Sequence, residues 1–193
     1  MLLASAAEPA DLDPRGDDTV IAAAVEMPEM FGLLYTRYAG RVYRYVLSRT
    51  GSREEAADLT QLTFARAFNS LPRYRPGRAP FVAWLFRIAR NAVTDAHRRR
   101  RATVSFDGLP EFLVAADGLS PEALLEKRER LERLRGLLGR IDPAKRELLA
   151  LRFGSGLSAR EIAPIVGKSE AAVKKQLTRT IATLKEYYRD DLP

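Results

Sequence analysis

The sequence contains no cysteine and only one histidine, His97. Disulfides and thiolate-held metals are excluded by the first absence. The second leaves a zinc centre or a histidine-based catalytic dyad without its usual parts. Tryptophan occurs once, at Trp84, and no apolar run approaches the about 20 residues of a membrane span. The opening MLLASAAEPADLD has no basic leader and turns acidic at once, so it does not read as a signal peptide. Scattered carboxylates without a cysteine, a histidine pair or a metal cluster form no catalytic constellation. The totals point to a cytoplasmic binding protein with no enzymatic activity, no metal and no cofactor.

What is present is charge, unevenly placed. The chain has 193 residues, 46% hydrophobic and 30% charged, with a net charge of +7. That length suits one ordinary domain or two small ones. Residues 1–25 are net −4, residues 26–102 net +9 and residues 103–193 net +2. A basic excess confined to one segment is the footprint expected of a nucleic-acid contact, although a solubilising surface gives the same count.

Residues 1–16, small, acidic and broken by Pro9 and Pro14, read as a disordered tail. A first helix is expected from about Asp17 to Met27, capped by Asp17 or Asp18. Pro28 is placed to open a second helix with Phe31, Leu34, Tyr38, Val42, Tyr45 and Val46 inward, ending at Gly51. Ser52 caps a third, whose inner stripe is Phe64, Phe68 and Leu71. After the loop PRYRPGRAP comes FVAWLFRIARNAVTDAHRRRR, residues 81–101. Phe81, Leu85, Ile88 and Ala92 recur at helical spacing, while Arg87, Arg90, Asn91, Thr94 and Arg98 fall largely off that stripe. One face can be buried while the other meets a polyanion.

Residues 103–120 carry three acids, no bases, Gly108, Pro110 and Gly118, and read as a flexible linker with one short turn around Glu111 to Val114. A helix follows from Pro121 with Leu124, Leu131, Leu134 and Leu138 inward, then a shorter one from Pro143 to about Phe153. In LSAREIAPIVGKSEAAVKKQLTRTIATLKE, residues 157–186, Ser158 and Glu161 have capping-box spacing, Gly167 suits a left-handed helix end and Ser169 caps the next helix. Ile162, Ala163, Ile165 and Val166 pack the first of these helices, and Val173, Leu177, Ile181 and Leu184 the second. The outer face carries Glu170, Lys174, Lys175, Thr178 and Arg179. A tight glycine turn before a helix with a basic outer face is the helix-turn-helix pattern, and an ordinary helical hairpin is the alternative. Lys174 and Arg179 suit guanine edges or phosphates, and Thr178 a thymine methyl. The fold class is all-α: two small helical domains, 17–102 and 121–193, joined by a flexible linker, the second a helix-turn-helix.

Three blocks together resemble bacterial RNA polymerase sigma factors of the extracytoplasmic-function group: ADLTQLTFARAF at 57–68, FVAWLFRIARNAVTDAHRRRR at 81–101, and LRFGSGLSAREIAPIVGKSEAAVKKQLTRTIATLK at 151–185. The likeness covers roughly residues 18–102 and 121–187. It implies that Asp58 and Gln61 dock on the clamp of the polymerase largest subunit; from the residues alone, a solvated helix position is the favoured reading of Asp58. Leu62 stands at a position of that same contact where the family usually has an acid. It implies a contact with the flap of the second subunit, and an anti-sigma protein as inhibitor.

For DNA, the resemblance puts Asn91 where the minus-ten element is read, with Arg87, Arg90, Thr94, Arg98 and Arg99 around it. Trp84 stands at one of two aromatic positions that wedge the duplex open; Leu85 occupies the other, and core packing is an equal alternative for Trp84. An ion pair with Arg98 or Arg99 is preferred for Asp95. The loop from Arg73 to Pro80 would hold a flipped-out base, with charge from Arg75 and Arg78 and a stacking face from Tyr74. The minus-35 element falls to Ser169, Glu170, Lys174, Lys175, Thr178 and Arg179. A free-standing helix-turn-helix regulator is the alternative function; it leaves the basic run after Phe81 unexplained.

Overall fold

One long helix, α4 (Phe81–Arg101), lies at the centre of the molecule because its first half is apolar on nearly every side. Phe81, Val82, Ala83, Leu85, Phe86, Ala89, Ala92, Val93 and Ala96 are all buried. The alanines let neighbouring helices approach closely, and the aromatic and aliphatic side chains fill the space between. Burying a side chain of Leu or Phe size contributes about 1.5–3 kcal/mol. The apolar stripe expected from periodicity is therefore too narrow, and Ile88, one of its members, is only half-buried.

The computed structural model describes residues 16–77, 79–101 and 121–190. In the first lobe α1 (Asp17–Glu26) packs on α2 (Phe31–Thr50), and α2 and α3 (Arg53–Ser70) pack on α4. The second lobe holds α5 (Pro121–Gly139), α6 (Pro143–Leu149), α7 (Ala159–Val166) and α8 (Glu170–Asp190). No strand occurs among the described residues. Residues 1–15 of the expected tail, the expected linker with its turn at Glu111 to Val114, Arg78, and the side chains of Leu124 and Leu131 lie outside the described residues.

Local chemistry sets the helix boundaries. The Ser52 hydroxyl accepts the Glu55 N–H at 3.3 Å, and Gly51 ends α2 at φ 75°. The Asp142 carboxylate accepts the Ala144 N–H at 2.7 Å and opens α6. Ser158 and Glu161 exchange hydrogen bonds of 3.2 and 2.7 Å, completing the capping box, and Gly167 turns at φ 68°. Three expectations need correction. Gly16, not an aspartate, precedes α1, and the Asp17 carboxylate instead accepts from Arg37 and the Tyr38 hydroxyl, tying α1 to α2. Pro28 opens a single 3₁₀ turn, Pro28–Met30, and the α-helix proper starts at Phe31. Phe68 and Leu134, assigned inward, are 38% and 43% exposed, and Leu137 holds the buried position on α5.

The two lobes share one hydrophobic core. After α6 the chain widens into one π turn, Ala150–Gly154, closed by the Ser155 N–H on Ala150 O at 3.2 Å. That turn lies against α2, and α7 lies against α4. Between them the Tyr45 hydroxyl donates to Glu147 Oε1 at 2.6 Å, with Tyr45 fully buried and its ring edge-on to Phe86.

Burial and a facing carboxylate together hold two phenols neutral. Tyr38 is pushed far above its ordinary value of 10.0 by desolvation, then by its bond to Asp17, and Tyr45 by desolvation, then by Glu147. Their contribution to stability is complete below pH about 10 and is lost as pH rises towards the folded-state values. In an alkaline titration followed by tyrosinate absorbance, these two of the seven tyrosines should ionise only as the helical circular dichroism collapses. All seven ionising before that collapse would contradict the burial.

Candidate nucleic-acid interface

The loop before α4 is shaped by an aromatic group. Tyr74 is buried, its ring edge-on to Phe81 (5.8 Å between centroids) and tilted over Trp84 (5.2 Å), and its hydroxyl donates to Ala79 O at 2.9 Å. That bond ties the two ends of the loop together. The ring expected to offer a stacking face for a base is thus committed to the protein interior, a correction that follows from the apolar partners α4 brings to it. Burial and, more weakly, Asp18 and Asp17 push the Tyr74 phenol upward. Trp84 is half-buried and packs on Phe81 at 5.5 Å, so it serves the core on one side and faces outward on the other. Arg75 is exposed and curls back to Pro72 O at 3.0 Å.

Along α4 the polar residues emerge as the helix leaves the core. Asn91, Thr94, Arg98 and Arg99 are exposed, the Thr94 hydroxyl donating to Arg90 O at 2.8 Å within its own helix. Asp95 pairs with Arg98 at 3.3 Å and faces Arg66 of α3 at 3.7 Å, which is the ion-pair role preferred for it. Such exposed pairs contribute at most about 1 kcal/mol. Arg87 and Arg90 face the second lobe: Arg87 donates to Pro164 O at 2.9 Å, and Arg90 Nε lies 3.7 Å from Glu147 Oε1. On α3, Asp58 and Gln61 stand exposed, while Leu62 is half-buried against the core.

The second lobe presents α8 as its outer helix. Ser169 accepts the Ala172 N–H at 3.2 Å, and Val173 and Leu177 are buried beneath. Lys174, Lys175, Thr178 and Arg179 are exposed on one side. Glu170 pairs with Lys174 at 2.6 Å; the hydrogen bond, then the charge of that ammonium, holds its carboxyl below the usual range. The Thr178 hydroxyl donates to Lys174 O at 3.1 Å. With α7 packed under α8 across the Gly167 turn, this is helix-turn-helix geometry, its second helix free along the face that would meet a groove. No group of three or more histidine, aspartate or glutamate side chains is arranged to hold a metal among the described residues, and none of their helices is long and apolar enough to cross a membrane.

Both lobes match known family patterns: sigma-70 region 2 over residues 34–103, and sigma-70, region 4 over residues 131–184. The chain is similar to the sigma factor CnrH of Cupriavidus metallidurans, 31% identical over 182 residues that cover 90% of this chain and 95% of that protein. This protein belongs to the extracytoplasmic-function sigma factors. Its first lobe is region 2 and its second region 4. Among other members of the family, it is 35% identical to BldN of Streptomyces coelicolor over 84% of this chain and 62% of that protein. It is 33% identical to SigE of Mycolicibacterium smegmatis over 80% of this chain and 60% of that protein. The chain thus spans about three fifths of the length of these two curated relatives.

The solved structure of CnrH in complex with the cytosolic domain of CnrY superposes with a TM-score of 0.67 at 29% identity, over 91% of this chain and 99% of that one. The sigma factor RpoE with the anti-sigma factor NepR, from Bartonella quintana, shares the fold at a TM-score of 0.61 and 23% identity, over 84% of this chain and 98% of that one.

Three residues that sequence reasoning passed over prove central to the contact between the lobes: Arg41, Glu147 and Gly154. Only Glu147 left a signal, an acid one turn before the apolar Leu151 on the same helical face, where a carboxylate needs a partner.

The role of Tyr74 separates into ring and hydroxyl. Tyr74→Phe removes one hydrogen bond and should cost about 1 kcal/mol, whereas Tyr74→Ala should cost about 3–5 kcal/mol. Thermal unfolding followed by the emission of Trp84 measures both. Equal losses would mean that the ring contacts contribute nothing.

Proposed function

We propose that this chain is a promoter-specificity subunit: it binds core RNA polymerase and directs initiation at promoters whose two elements its lobes read separately. The observation that carries the proposal is the presence in one chain of a region 4 helix-turn-helix with an open basic face and a region 2 helix, α4, whose exposed end carries Asn91 among cations. An asparagine offers a paired donor and acceptor to a base edge, and arginines neutralise phosphates. One lobe of about 80 residues has a gyration radius near 12 Å. It cannot touch two elements about two helical turns, roughly 70 Å, apart; two lobes can.

Within this division, the domain 17–102 binds the polymerase clamp through Asp58, Gln61 and Leu62. It takes the melted minus-ten element with Arg75, Arg78, Trp84, Arg87, Arg90, Asn91, Thr94, Arg98 and Arg99. Tyr74 supports that loop from beneath. Residues 103–120 connect it to the domain 121–193, which meets the flap of the second polymerase subunit. That domain reads the minus-35 element with Ser169, Lys174, Lys175, Thr178 and Arg179; Glu170 offers a carboxylate to a cytosine amine or holds Lys174. The chemistry of RNA synthesis belongs to the polymerase, and this chain acts in the cytoplasm as a binding protein. An anti-sigma protein as its inhibitor is supported by the solved structure of CnrH, which is held in complex with the cytosolic domain of CnrY.

Run-off transcription with purified core polymerase tests the reading: promoter-dependent transcripts are expected, and tight promoter binding without polymerase, with no transcripts, would favour a free-standing regulator. The double substitution Lys174→Ala with Arg179→Ala should abolish recognition of the upstream element, each lost base contact being worth about 1–3 kcal/mol. Core binding by pull-down should be unchanged, and its loss would contradict the division of labour.

A further inference from the structure

An apolar groove of about 530 Å³ opens between α5 and α8 in the second lobe. Leu137 is its buried floor, with Ile181 and Leu184 half-buried beside it. Leu134 and Tyr188 form its walls and stay 43% and 45% exposed. The Arg133 guanidinium lies 6.0 Å from the Tyr188 ring centre, which steadies that wall. Lys185 and Arg189, both exposed, make the rim positive. Large apolar side chains gathered at one exposed place call for a cover, and a cationic rim selects an acidic one.

The chain carries such a cover just before α5. Residues 111–117 read EFLVAAD, three consecutive large apolar residues between Glu111 and Asp117, and no base occurs from 103 to 120. We propose that Phe112, Leu113 and Val114 dock back along α5 into the groove between α5 and α8, their flanking acids set against Lys185 and Arg189. The lengths agree. Since α5 begins at Pro121, Leu134 and Leu137 lie roughly 20 and 24 Å along it. Gly118 and Pro121 suit a reversal of the chain. The six residues from Phe112 to Asp117 then reach about 20 Å when extended, bringing Phe112 level with Leu134. A segment tethered this closely acts at an effective concentration of about millimolar, so modest contacts hold it. Docking also stores tether: residues 103–110 alone extend to about 27 Å, against about 60 Å for all of 103–120. Only this last consequence rests on the reading, given above, that the two lobes address separated elements.

Cysteine pairs test the docking, because the chain has no cysteine of its own. Leu113→Cys with Leu134→Cys puts one thiol on the segment and one in the groove. Leu113→Cys with Glu132→Cys puts the second thiol at nearly the same distance along α5, at an exposed position that does not line the groove. The full-length protein is held dilute in a glutathione buffer, and formation of the internal disulfide is followed by mass spectrometry. The groove pair should close on the order of tenfold faster than the control pair, since the tether is the same and only docking differs. Adding Lys185→Glu with Arg189→Glu to the groove pair should bring its rate towards that of the control. Equal helical circular dichroism in the two pairs keeps the comparison on folded protein.

Equal rates for the two pairs overturn the docking. So does a groove pair that forms intermolecular dimers faster than the internal bond, which makes a second copy of the chain the occupant. A charge reversal that leaves the difference in rate intact overturns the pairing of the acids with the rim. Failure of the broader reading is distinguishable: a tenfold difference in a chain that yields no promoter-specific transcripts upholds the docking and refutes the sigma-factor function.

Discussion

Helix α4 must be a core element and a cation-bearing surface element within the same 21 residues. That double demand governs the rest of the structure. Its first half is given wholly to packing, with small residues where helices cross and large ones between. Its cations are displaced to what remains, a strip beginning at Arg87 and widening towards the C-terminus. The aromatic group of Tyr74, Phe81 and Trp84 sits where the two demands meet, fixing the entry of the helix and the shape of the preceding loop at once. A substitution there acts on stability and on the shape of that loop together.

The contact between the lobes is built differently from either interior. Hydrophobic burial continues across it, but its specificity comes from a buried carboxylate and four arginines. Ion pairs out of water gain little net stability over apolar packing, because desolvation offsets the attraction. They do make the fit particular: Glu147 of α6 sits between Arg49 and Arg90, while the carbonyls of Ser155 and of Pro164 on α7 meet Arg41 and Arg87. An interface of this kind fixes one arrangement without great strength.

Local rules were legible in the sequence wherever the deciding atoms are close along the chain. The caps at Ser52 and Ser158 and the glycine ends at 51 and 167 follow from residues within one turn, and the structure has them as expected. The inward face of α2 was equally clear, since six apolar residues at helical spacing admit one solution. What was not legible depends on partners far away in sequence. Asp17 reads as a cap until Arg37 and Tyr38 arrive from the next helix. Tyr74 reads as a free ring until α4 turns Phe81 and Trp84 towards it. Arg87 and Arg90 were correctly placed off the main apolar stripe, but no periodicity says that a second lobe faces them.

The pair between Glu170 and Lys174 at the start of α8 sets how much uncompensated charge that helix presents. Attraction of a protein to any polyanion grows with the number of counterions that its cations displace, and each contributes to the salt dependence. A lysine already partnered by a glutamate one turn away displaces fewer, so the open face of α8 is less basic than a count of its cations suggests. Under the proposed reading of α8 as the duplex-reading helix, that internal pair lowers the pull of arbitrary sequence, and a site that engages Glu170 would free Lys174 to count in full.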